Sequence, residues 1–223
     1  MAAQKKTEPQ SLPRGRHGLP RELVVENQRA RLVSSMVETV AERGYGRTTV
    51  ADVIAVAKIS RRTFYETFAN KEDCYAAAYE TSFEYLRETL VAAAEGAEWP
   101  ASVGVGLAAL LEALAAHPDL AAFFLISPAS VGDEAAVRHH RAVGELVESL
   151  LAGAPKRRQP KAAAAVRTEA LAGGFTRLTA IRVGAGRSAD LPALLPDLVE
   201  LFLRPFVGGE EAIRVARGAR VRR

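Results

Sequence analysis

The chain holds a single cysteine, Cys74, in 223 residues. That excludes an internal disulfide framework, and a lone thiol suits a reducing compartment. Aromatic residues are scarce at 6%, and no segment alternates apolar with polar residues as a half-buried strand does. Long hydrophobic runs are also missing. The most apolar stretch, residues 101–116, is interrupted by Glu112 and stops at His117–Pro118, whereas a bilayer span takes about 20 apolar residues. The first ten residues are polar and charged, without the apolar core of a secretory leader. A cytoplasmic protein with no membrane partner is therefore expected.

The residues of catalysis are thin as well. There is no G-x-S-x-G, no phosphate-binding G-x-x-x-x-G-K-[ST], and the four histidines form no recognisable constellation. His139 and His140 are adjacent, so on a helix they point about 100° apart, and no Glu-x-x-His accompanies them. The sequence leads to no enzyme, no metal site and no cofactor.

What the sequence does have is alanine, leucine and charge. Apolar residues make up 48% and charged residues 25%, the balance of a globular protein with a helical bias. Lys and Arg number 12 against 7 Asp and Glu in residues 1–68, 13 against 17 in residues 69–207, and 5 against 2 in residues 208–223. Positive charge thus sits at both ends of an acidic middle, and a basic first third is the footprint of a module that approaches phosphate.

Punctuation by proline and glycine predicts helices over residues 23–43, 50–57, 61–68, 71–94, 101–116, 118–126, 132–151, 161–183 and 191–206. Thr49, Ser60 and Asn70 stand where N-caps are needed. The expected architecture is all-α: a basic arm (1–22), a three-helix DNA-binding domain (23–70), a helical bundle (71–207) and a basic tail of uncertain order (208–223).

Residues 49–68 carry the sharpest signal. Two short helices joined by a tight turn at Lys58–Ile59 make a helix-turn-helix. Val50, Val53, Ile54 and Ala57 form one apolar stripe, and Phe64 and Phe68 face inward on the second helix. Arg61, Arg62, Thr63, Tyr65 and Thr67 are left for the outer and leading surfaces. Arginine can fork onto guanine edges, and hydroxyls reach phosphate or the thymine methyl. Lys71, at the positive end of the fourth helix, is a further candidate phosphate contact.

These residues resemble the N-terminal domain of the TetR (tetracycline repressor) family of bacterial regulators. The resemblance runs from about Arg29 to Tyr79, through the "AERGY" link, the "TTV-AD-I" opening, the "S-RTFY--F" second helix and the "NKE" start of the fourth. It implies that Thr49, Tyr65 and Lys71 contact backbone phosphates, and that Ser60, Arg61, Arg62 and Thr63 meet bases or nearby phosphates. A glycine often occupies the turn where this chain has Lys58. The resemblance also implies a homodimer on a double-stranded, pseudo-palindromic operator, released from it by a small-molecule effector held in the C-terminal domain.

The dimer seam it points to is the last two long helices. Val166, Ala170, Gly174 and Leu178 on one, with Leu198, Leu201 and Phe202 on the other, suit close approach. Leu107, Leu111, Phe123, Phe124, His140 and Phe175 are the candidate effector pocket, which suggests a hydrophobic or amphipathic ligand. Arg14 and Arg16 in the N-terminal arm are candidates for the adjacent minor groove. A helical protein–protein adaptor without specific DNA binding is the competing reading.

Overall fold

A computed structural model describes residues 21–155 and 161–219, and every described element is helical. Arg14 and Arg16 lie outside these residues. The chain divides into two compact units, 1–81 and 82–223. The division falls inside the fourth helix rather than at its start.

In the first unit, α1 (Arg21–Arg43) buries Leu32, Met36 and Val40 along one face. Gly44 ends it at φ 76°, a conformation that suits glycine. A 3₁₀ turn at Tyr45–Arg47 leads to α2 (Val50–Ala57), which packs on α1 through Val53 and Ala57. Next come α3 (Arg61–Thr67) and α4 (Lys71–Ala94). The Asn70 side chain accepts from the Asp73 amide at 2.8 Å and caps α4.

In the second unit, α5 (Ala101–Ala116) is nearly all apolar because it is wrapped by other helices, and Val103, Leu107 and Leu111 are fully buried. Against it pack α6 (Pro118–Leu125), α8 (Asp133–Leu150) and α10 (Leu195–Val207), while the one-turn α7 (Pro128–Val131) and α9 (Lys161–Gly184) pack on α6 and α8. At Gly106 helices pack closely: a Cβ there would stand 2.8 Å from Leu150 Cδ2 and displace that side chain.

Three elements differ from the sequence expectation. Ser127–Pro128, read as a break, opens α7, since proline is tolerated in a first helical turn. Ser188–Leu194 is 3₁₀, so α10 begins at Leu195 instead of residue 191. The segment read as a tail contains α11 (Gly209–Gly218), which packs on α10 and buries Ala212 and Ala216. Its apolar positions, Ala212, Ile213, Val215 and Ala216, recur at helical spacing, so the periodicity was present in the sequence beneath an arginine-rich composition.

Candidate nucleic-acid interface

The first unit builds its exposed rim from caps inward. Thr49 Oγ1 accepts from the Asp52 amide at 3.3 Å, while the Thr49 amide donates to Asp52 Oδ2 at 2.9 Å, a reciprocal capping box. The Thr49 hydroxyl also donates to Asp52 Oδ2 at 2.6 Å. Arg43 Nη1 reaches Asp52 Oδ1 at 2.7 Å. The Thr49 hydrogen bonds, with Arg43 adding a smaller pull, hold the Asp52 carboxyl below its usual range. Thr49 is exposed, as a phosphate contact must be, and its hydroxyl is engaged with Asp52.

Ser60 Oγ accepts from the Thr63 amide at 3.0 Å and caps α3. Phe64 and Phe68 are buried, their ring centroids 6.0 Å apart, with Arg29 Cζ 4.7 Å from the Phe68 centroid. Burying Phe64 completely contributes about 2 kcal/mol to holding α3 on the domain. With that face fixed, Ser60, Arg61, Arg62 and Tyr65 are exposed and Thr63 is half-buried.

The two arginines differ. Arg61 Cζ lies 5.7 Å from the Tyr65 ring centroid. Arg62 Nε donates to Glu66 at 2.8 Å with its side chain 87% exposed. An ion pair this exposed contributes about 0–1 kcal/mol and yields readily to a stronger partner.

Lys71 is not turned outward. It is half-buried, its ammonium donating to the Tyr45 carbonyl at 3.2 Å and the Thr48 carbonyl at 3.1 Å, with Nζ 3.9 Å from the Tyr45 ring centroid. Tyr45 in turn donates to Glu72 at 2.9 Å, and burial with this neighbour pushes its phenol upward. Lys71 and Glu72 thus fasten the start of α4 to the turn preceding α2. Residue type and position alone could not distinguish this role from a phosphate contact.

Arg31, on α1, donates from Nη2 to the Ala57 carbonyl and to the Lys58 carbonyl, the latter at 3.2 Å. Sequence reasoning missed it because a lone arginine among several on a helix carries no signal of its partner 26 residues away.

In the second unit Leu107, Leu111, Phe123, Phe124 and Phe175 are all buried, while His140 is exposed. Its neighbour His139 packs edge-on against Phe124 at 5.3 Å, and burial first, then His140, lowers its pKa to about 4. A cleft of about 450 Å³ lies elsewhere, between α5 and α11, with Gly104, Val105, Arg214 and Val215 in its walls. None of the six expected residues lines it.

The seam residues also divide. Leu198 and Phe202 are fully buried within one chain and belong to its core. Val166 is 64% and Leu201 41% exposed, Ala170 is exposed, and Gly174 and Leu178 are half-buried.

Among the described residues no group of three or more His, Cys, Asp or Glu could hold a metal ion, and no single helix is long and apolar enough to cross a membrane.

The family model for bacterial regulatory proteins of the tetR family matches residues 33–78. No curated protein matches the chain in sequence. Among solved structures, the fatty acid degradation regulator FadR from Bacillus halodurans is similar, with TM-score 0.65 and 20% identity over 78% of this chain and 96% of that one. FadR from Bacillus subtilis, solved with stearoyl-CoA, gives TM-score 0.66 and 19% identity over 80% and 97% of the two chains. A TetR-like regulator from Rhodococcus sp. RHA1 gives 0.58 and 22% over 84% and 97%.

Proposed function

We infer that this chain, whose N-terminal domain is of the tetR family, is a transcriptional regulator that represses by occupying a pseudo-palindromic operator as a homodimer. The observation that carries this reading is α3: its aromatic face is buried while Arg61, Arg62 and Tyr65 stand exposed beside a capped, exposed N-terminus. A helix so presented enters the major groove with its first residues at the base edges. Arg61 and Arg62 read bases, and Ser60, Thr63, Thr49 and Tyr65 set the register on phosphates and flanking edges. Lys71 supports them by fixing the frame. Arg14 and Arg16 add contacts in the adjacent minor groove.

The dimer uses the exposed faces of α9 and α10. Val166, Ala170, Gly174, Leu178 and Leu201 supply apolar and small positions, and a Cβ on Gly174 would lie 3.6 Å from Leu201 Cδ2, so the two helices present one continuous surface. The effector is hydrophobic or amphipathic, taken among Leu107, Leu111, Phe123, Phe124 and Phe175; the stearoyl-CoA bound by the B. subtilis regulator supports an acyl chain as the class. It acts only if it binds unequally to two separations of the recognition helices.

Selection from a random-sequence duplex pool tests the reading. An enriched inverted repeat, its half-site centres about 34–36 Å apart, is expected. Recovery of no preferred sequence would favour the adaptor.

A further inference from the structure

We propose that Arg31 is a positioning residue for DNA recognition: reaching from α1, its guanidinium clasps the carbonyls at the end of α2 and holds the left-handed turn that aims α3. This rests on the DNA-binding reading above.

The turn is the weak point of the motif. Lys58 has φ 51° and ψ 46°, and it is the single non-glycine residue with positive φ among the described residues. A side chain there crowds its own backbone, which is why glycine is favoured in this region. Within the turn Lys58 N donates to the Ile54 carbonyl and, at 3.4 Å, to that of Ala55, and Ile59 N donates to the Ile54 carbonyl at 3.1 Å; none of these uses the carbonyls of Ala57 or Lys58. Helix α2 has eight residues, too few to hold its shape by its own hydrogen bonds.

Arg31 answers both deficits. One nitrogen donates to the carbonyls of Ala57 and Lys58, the last residue of α2 and the left-handed residue itself. Those carbonyls have no partner within the helix, and the cation stands at the negative end of the α2 dipole. The base of the clasp is firm, because the next residue, Leu32, is fully buried. The Arg31 head is committed to protein carbonyls, so its effect on DNA passes through the turn and not through a phosphate.

The test is a double-mutant cycle on the full chain, read by fluorescence anisotropy with a duplex that the unmodified protein has selected. Arg31→Ala should weaken binding about three- to tenfold by lowering the population of competent turn. Its salt slope should stay unchanged, whereas loss of a phosphate contact lowers the slope by about one. In the Lys58→Gly background, where left-handed backbone is unstrained, the same Arg31→Ala change should cost less than about twofold. An equal loss in both backgrounds, or a fallen slope, overturns the proposal.

Amide exchange gives a readout free of DNA. Lys58 and Ile59 should exchange several-fold faster in Arg31→Ala, and unchanged protection there also overturns the clasp. If the unmodified protein selects no duplex, the DNA-binding reading fails while exchange still decides the clasp. Arg31→Gln, which keeps much of the aliphatic stem, replaces the alanine variant if that one fails to fold.

Discussion

Arg61 and Arg62 are neighbours held in different ways. Arg61 rests near the Tyr65 ring and Arg62 is tied to Glu66. Truncating Arg61 should cost about 1–3 kcal/mol of binding and relax preference at one base pair, measured by anisotropy on single-substitution duplexes. Glu66→Gln should strengthen binding modestly by releasing Arg62.

At the same scale, His139 sets an acid limit on the second unit. Burial lowers its pKa from 6.5 to about 4, so the folded chain holds it neutral where the unfolded chain protonates. Stability is therefore intact above about pH 6.5 and is lost as pH falls toward 4, by on the order of 3 kcal/mol in full. Denaturant titration at pH 7 and pH 4.5 should show a loss that His139→Asn largely removes.

Individual roles were legible where the local backbone dictates them. Thr49, Ser60 and Asn70 cap the helices they precede because their side chains reach amides two or three residues on. The partners of Lys71 and Arg31 were not legible, since both lie more than twenty residues away and depend on how the helices cross.

At the scale of elements, α3 is seven residues long and depends on its cap and its two phenylalanines. Ser60→Ala should lower stability of the first unit by about 1 kcal/mol, seen as a reduced melting temperature. The long helices were readable from glycine and proline punctuation. The 3₁₀ segment before α10 and helix α11 were not. The first has a helical pattern with tighter winding around Pro192, and in the second the apolar residues at 212, 213, 215 and 216 stand among arginines and glutamates that give the segment the composition of a charged tail.

For the whole molecule, the family match covers residues 33–78 alone, and the body is related to known regulators by fold. Its apolar residues stand out in the sequence, but which of them are core and which lie exposed is settled only by packing. Leu198 and Phe202 turned inward; Val166 and Leu201 did not. Leu201→Arg should therefore convert a dimer to monomer in sedimentation velocity without unfolding the chain, while a dimer that persists would place the seam elsewhere. Removing residues 1–16 should weaken DNA binding and flatten its salt dependence.

Whether α3 reads DNA through its two leading arginines is decided by anisotropy with a selected duplex, comparing the unmodified chain with the Arg61→Ala, Arg62→Ala double variant. Saturable, sequence-specific binding is expected, and the double variant should lose it while keeping its helical content and melting temperature. Equal specific binding by both proteins would contradict that expectation.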